Sequence, residues 1–323
     1  MMRKHLLQAV AAIGLIAGAS VAGMPTAAQA AGDPPSCHNV SFSNVGWTDI
    51  SATTGTATVI LQALGYNPTT DMLSVPVTYE EMKDKKIDVF LGNWMPTMSD
   101  NIKPYVAAKT VDVVGANLEG AKYTLAVPTY LYNEGLKSFQ DIPKFYSELD
   151  GKIYGIEPGN DGNRLILDMI KNNTDGIGKF TLVQSSEQGM LAEVARKTKH
   201  HKGIVFLGWE PHPMNTKYDM QYLSGGDAVF GPNYGGATVY TNTTADYVKE
   251  CPNLGRFLDQ LKFNLPMENT IMGSIMYDKM DPAPAAAKWL KANPDAMTPW
   301  LAGVTTEDGS EPAETAVKKA LGL

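Results

Sequence analysis

The stretch VSFSNVGWTDISATTGTATVILQALG, residues 40–65, decides the fold class. Val40 and Phe42 alternate with Ser41 and Ser43, the two-residue period of a strand, and residues 40–45 are read as one. Residues 53–64 then read as a helix closed by Gly65. The order repeats, with a strand expected at 73–78, a helix at 79–86 and a strand at 88–94. Such a βαβαβ run implies a parallel sheet. After a helical stretch at 102–108 a second set begins, with strands at 123–127, 153–156, 181–184 and 203–207 and helices at 142–149, 163–171 and 189–198. Two sheets are expected, one on either side of residue 120. The segments 218–223 and 238–241 and the helices expected at 245–250, 255–262 and 284–291 need a partner surface, which the first sheet supplies. Residues 225–236 read as a long glycine-rich loop.

Ahead of this pattern, Arg3, Lys4 and His5 precede an apolar stretch and the small-residue signature Ala28-Gln29-Ala30. That is the form of a cleaved export leader, so residues 1–30 are assigned to a signal peptide and the mature chain to the periplasm. Cys37 lies past the expected cut and outside an L-x-G-C pattern, so no lipid anchor is expected. No later segment reaches the roughly twenty uninterrupted apolar residues that span a bilayer. The charge of −7, from 27 basic and 34 acidic side chains, becomes still more negative once Arg3 and Lys4 leave, the wrong sign for nucleic acid or an anionic membrane. In an exported chain Cys37 and Cys251 most simply form one disulfide; two buried free thiols are the alternative. His200 and His201 sit in a basic run and read as a solvated helix end, so no metal site is assigned.

Three of the five tryptophans follow short apolar, β-branched runs, at Val45-Gly46-Trp47, Leu91-Gly92-Asn93-Trp94 and Leu207-Gly208-Trp209. In open α/β sheets ligands bind beyond the carboxyl ends of the strands, so three rings placed there can share one crevice. Aromatic faces without neighbouring cations suit a quaternary ammonium group. Capping of a hydrophobic core is the competing role for each ring taken singly. Trp289 and Trp300, in the carboxyl helical region, are read as packing.

The motifs Gly46-Trp47-Thr48-Asp49, Asn93-Trp94-Met95-Pro96, Glu157-Pro158-Gly159-Asn160, Gly208-Trp209-Glu210-Pro211-His212, Cys251-Pro252-Asn253-Leu254 and Lys288-Trp289-Leu290-Lys291 resemble the substrate-binding proteins of glycine betaine/choline ABC transporters. The match extends over the expected mature chain and is strongest to the periplasmic choline-binding members. The resemblance implies an α/β, two-lobed periplasmic binding fold (type II) with a ligand cleft at a hinge. It divides the chain into lobe I, 31–118, lobe II, 119–211, and a return to lobe I, 212–323. It also implies an aromatic box of Trp47, Trp94, Tyr123 and Trp209 around a trimethylammonium group, with Asp49 and Asn160 at the other end of the ligand. A monomer that hands choline to a membrane permease is expected, with no cofactor and no catalysis.

Asp49 discriminates most, because a carboxylate accepts the choline hydroxyl and repels the carboxylate of a betaine. Its competing role is a helix cap, which Ser51 is equally placed to supply. Asn160 has the same ambiguity, since Asn160 or Asp161 can cap the helix that follows. A receptor for glycine betaine or another betaine is the alternative, with His212, Lys122 or backbone amides as carboxylate donors. An exported enzyme acting on choline esters is less favoured: the chain has no G-x-S-x-G, no H-E-x-x-H and no nucleotide-binding glycine motif.

Overall fold

The computed structural model describes residues 32–323, so the expected leader lies outside the described residues. Its strands are β1 Asn39–Asn44, β2 Asn67–Met72, β3 Val89–Met95, β4 Val111–Pro128, β5 Lys152–Tyr154, β6 Thr181–Val183, β7 Phe206–Glu210, β8 Met220–Tyr222 and β9 Gly236–Thr244. They form one sheet in the order β2-β1-β3-β9-β4-β7-β5-β6, with β8 added on β4. This corrects the expectation of two separate sheets. β4 runs for 18 residues, about 60 Å of extended chain, and serves both halves. Its first part pairs with β9 and its last part with β7 and β8. The register with β9 slips between Leu118 and Ala121, around Gly120 at φ +74°, so the strand is re-aimed where the two halves meet. The pairing is parallel within each half, β1 with β2 and β3, and β5 with β6 and β7. β9 and β4 run antiparallel to their neighbours, so the sheet is mixed rather than parallel.

The longer helices are α1 Thr48–Ala63, α2 Val75–Lys83, α3 Ser99–Ala107, α4 Asp161–Lys171, α5 Glu187–Lys199, α6 Pro252–Gln260, α7 Leu265–Met276, α8 Pro282–Ala292 and α9 Ala313–Leu321. α1 lies on β1, β2 and β3, and α7, α8 and α9 pack back against it, so the carboxyl third returns to the first half of the sheet. Cys37 and Cys251 are disulfide-bonded with Cα atoms 5.8 Å apart, which fixes that return. Closing a loop of 214 residues contributes roughly 5 kcal/mol in the chain-entropy model. Asp33 adds to the junction by accepting the Asn253 and Leu254 backbone N–H groups, each at 2.8 Å, and so caps α6 from outside the helix.

The strand expected at 73–78 is instead the start of α2. Ser74 stands at its N-cap and Pro76 in its first turn, a combination that opens helices, and the β-branched Val75 and Val77 mask it in the sequence. The strand of this unit is β2, whose side chains are almost all exposed; it is held by parallel backbone pairing with β1 and so has no apolar alternation. The glycine-rich segment 225–236 holds two short helical turns, Asp227–Phe230 and Pro232–Gly235. His201 stacks on Tyr130 at 4.9 Å, and no group of three or more potential metal ligands occurs among the described residues. Trp300 is buried against Phe263, away from the other tryptophans.

Candidate functional site

Where the two halves of the sheet meet, Trp47, Asp49, Trp94, Tyr123, Ile156, Asn160 and Trp209 line one small cavity. All six residues singled out in the sequence are there; Ile156 is the seventh, and nothing in its local sequence marked it. The cavity is closed, with Trp47 and Tyr123 the most accessible of its walls at 5%. No lysine, arginine or histidine lines it.

Local geometry explains how the rings converge. Tyr123 and Trp209 stand opposite one another in the antiparallel β4–β7 pair, ring centroids 6.3 Å apart and nearly perpendicular. Trp94, one residue from the end of β3, meets Tyr123 from the other side at 6.1 Å. Trp47 arrives from the β1–α1 turn, where Gly46 adopts φ +90°, a conformation that costs glycine little. Edge-to-face packing of this kind leaves ring faces directed into the space between them. The four rings thus converge on one space, Trp47 and Trp94 from the first half of the sheet and Tyr123 and Trp209 from the second. The Tyr123 hydroxyl donates to Asn160 Oδ1 at 2.8 Å, an approach open only because residue 162 has no side chain: a Cβ there would stand 2.1 Å from that hydroxyl.

The helix-cap questions have definite answers. Asn160 is the N-cap of α4, its Oδ1 accepting the Asn163 N–H at 3.0 Å as well as the Tyr123 hydroxyl. Asp49 lies inside the first turn of α1 rather than at its N-cap, and the Ser51 hydroxyl donates backward to the Trp47 carbonyl. Asp49 Oδ2 accepts the Trp94 indole N–H at 3.2 Å, while Oδ1 is buried without a partner. Burial, reinforced by the nearby Glu187, pushes the Asp49 carboxyl up to about 7. Glu157, which accepts the Trp47 indole N–H at 2.9 Å, is likewise raised to about 7 by burial. On α7, Glu268 is fully buried and raised well above the ordinary carboxyl range by desolvation and by Asp49. An aromatic cavity is therefore backed by carboxyl groups with no cation among its walls.

Two proposed carboxylate donors are occupied elsewhere. Lys122 pairs with Glu210 at 3.4 Å and is absent from the cavity walls. His212 packs edge-on to Trp209 at 4.8 Å, but its Nε2 faces Glu187 Oε1 at 3.2 Å while its Nδ1 accepts the Met214 N–H. Glu187 is not marked by its sequence: a glutamate after Ser186 at a helix start carries only the ordinary signal of a first turn.

A family model described as the substrate binding domain of ABC-type glycine betaine transport system matches residues 38–292. An uncharacterized protein of Chromohalobacter salexigens is 50% identical over 129 residues, which cover 40% of this chain and 83% of that one. Among solved structures, an ABC-transporter choline-binding protein in complex with choline is 60% identical, with a TM-score of 0.88 over 90% of this chain and 100% of the other. An unliganded, semi-closed choline-binding protein is also 60% identical, at 0.82 over 89% and 100%. Lactococcal OpuAC, closed on glycine betaine, is 27% identical, at 0.73 over 81% and 98%. The two-lobed architecture of these proteins is shared, and this chain superimposes better on the choline-bound form than on the semi-closed one.

Proposed function

Because the chain belongs to the family of substrate-binding domains of ABC-type glycine betaine transport systems, we propose that it captures choline between its lobes and delivers it to a membrane permease. Members of the family are solute-binding proteins, not enzymes. The observation that carries the choline assignment is the closed cavity itself: four aromatic walls and a buried Asp49 oxygen with no partner. Trp47, Trp94, Tyr123 and Trp209 would enclose the trimethylammonium group, whose methyls cannot donate ordinary hydrogen bonds and gain from dispersion and the ring quadrupoles. At roughly 0.5 to 2 kcal/mol per desolvated face, four rings supply several kcal/mol before ordering costs. Asp49 Oδ1 would accept the choline hydroxyl, with Asn160 beside it. Glycine betaine would set its carboxylate against Asp49 with no cationic side chain to offset it.

In this reading residues 1–30 direct export to the periplasm, lobe I begins with 31–118 and lobe II with 119–211, and because β8 pairs with the last part of β4, as β7 does, residues 212–223 are taken with lobe II and the return to lobe I follows them. Among the described residues no helix is long and apolar enough to cross a membrane. Choline has about seven heavy atoms, and a ceiling of roughly 1.5 kcal/mol per atom limits its dissociation constant to on the order of tens of nanomolar. Calorimetric titration of ligand-stripped protein with choline and with glycine betaine tests the assignment. Choline is expected to bind in the nanomolar to low micromolar range and more tightly than glycine betaine; the reverse order overturns it. Incubation with acetylcholine is expected to yield no hydrolysis product.

A further inference from the structure

The N-terminus of α1 is not capped by its own sequence. Trp47 occupies the N-cap position and has no side-chain oxygen to offer the orphan amides of the first turn. Glu187, at the start of α5 on the opposite half of the sheet, takes that place: its Oε2 accepts the Thr48 backbone N–H at 2.8 Å, and its Oε1 accepts the Thr48 hydroxyl. The same Oε1 faces His212 Nε2 at 3.2 Å, and because His212 Nδ1 accepts the Met214 N–H, the ring proton sits on Nε2 and points at the carboxylate. Glu187 thus receives three donors and serves as an acceptor only, the behaviour of a carboxylate, between the N-terminal ends of two helices. Both Glu187 and His212 side chains are wholly buried. Thr48, their counterpart across the cleft, lies between the cavity residues Trp47 and Asp49. Elsewhere in the chain Asp33 caps α6 in the same way, but there both partners belong to a junction already held by the disulfide.

Other polar bridges also cross between the halves, among them Trp47 to Glu157, and Arg164 to Asp100 and the Thr97 carbonyl. The Asp100 side chain is 73% exposed, so that ion pair is screened by water. Glu187 differs in being buried and in bringing negative charge toward Asp49, which itself lacks a cationic neighbour. Closing the cleft therefore makes a cap and brings two carboxylates together. The first favours closure with or without ligand. The second opposes it until a positive charge lies in the cage.

Resting on the choline assignment above, we infer that Glu187, oriented by His212, is the latch that makes closure conditional on a cation: it caps α1 across the cleft at Thr48 and places beside Asp49 a charge that the bound quaternary ammonium offsets. Glu187 is a positioning residue, acting through Thr48 and the cage rather than by touching the ligand.

The test compares choline with its uncharged carbon isostere, 3,3-dimethylbutan-1-ol, on the wild-type chain, Glu187→Gln and Thr48→Val, with melting temperatures as folding controls. Glu187→Gln keeps the shape and removes the charge, so choline affinity is expected to fall by about tenfold or more while the isostere changes by less than about threefold or tightens. Thr48→Val removes one hydroxyl donor and no charge, so both ligands are expected to weaken by a similar factor. Equal weakening of both ligands in Glu187→Gln, or no change in either, overturns the latch. If the wild-type protein fails to prefer choline over the isostere, the choline assignment falls first, and the two failures are told apart.

Discussion

Replacing Asp49 by Asn keeps the size and the acceptor for the Trp94 indole while removing the charge, so it isolates the electrostatic part of recognition. With the choline hydroxyl donating to Asp49, the cationic centre would stand about 5 Å from the carboxylate, worth about 3 kcal/mol at an effective dielectric of about 20. Little of that is cancelled by the cost of ionising Asp49 near neutral pH, because its carboxyl already titrates at about 7. Choline affinity is therefore expected to fall by about 2 to 3 kcal/mol, roughly 30- to 150-fold, whereas glycine betaine should be unaffected or bind better. The closed form without ligand responds in the opposite sense. A carboxyl raised from 3.8 to about 7 contributes stability that is present below about pH 4 and lost as pH rises through 7, a loss on the order of 4 kcal/mol when complete. Asp49→Asn avoids that loss, so its melting temperature should exceed wild type at about pH 8 and converge with it near pH 4. Calorimetric titration with both ligands on one preparation, with scanning calorimetry at the two pH values, measures each arm. An unchanged choline-to-betaine ratio in a folded variant refutes the role given to Asp49.

Trp47→Ala, Trp94→Ala and Trp209→Ala should each weaken choline by roughly 1 to 3 kcal/mol by titration, while Trp289→Ala, outside the cavity, should leave affinity unchanged. Gly162→Ala should lower choline affinity by about tenfold, because the new Cβ displaces the Tyr123 hydroxyl from Asn160; alanine's better helix propensity alone would have raised stability. Choline affinity should decline as pH falls below about 7, since protons on Asp49 and Glu157 compete with the cation; a profile flat from about pH 8 to 5 would show that neither group faces the ligand's charge. Reduction of Cys37–Cys251 should lower the melting temperature, by about 2 to 5 kcal/mol of stability, without altering choline affinity, since the disulfide lies at the junction of Cys37 with α6 and not in the cavity.

Three of the cavity residues, Trp47, Trp94 and Trp209, are legible because each is announced locally. The rings of Trp94 and Trp209 sit near the ends of apolar strands, and Trp47 follows a glycine turn, so periodicity and turn chemistry place them without knowledge of the tertiary contacts. Tyr123 and Asn160 are legible only through family resemblance, since an isolated tyrosine in a strand and an asparagine in a turn have ordinary structural uses. Asn160 in fact does both, capping α4 while holding Tyr123. What stays hidden depends on partners distant in sequence. β2 is polar and held by backbone pairing, and β4 crosses both halves through residues whose apolar pattern is broken at Gly115 and Gly120. α7 and α9 go unmarked as elements, although α7 carries Glu268 toward Asp49. Glu187 meets Thr48 across 139 residues, and no local pattern encodes that meeting.

The most direct measurement is a crystal structure of the protein with choline. The ammonium nitrogen is expected within about 6 Å of the ring centroids of Trp47, Trp94, Tyr123 and Trp209, with the hydroxyl donating to Asp49 Oδ1. Choline bound outside this cavity, or bound within it with the hydroxyl turned away from Asp49, would contradict the assignment of the cage and of its discriminating carboxylate.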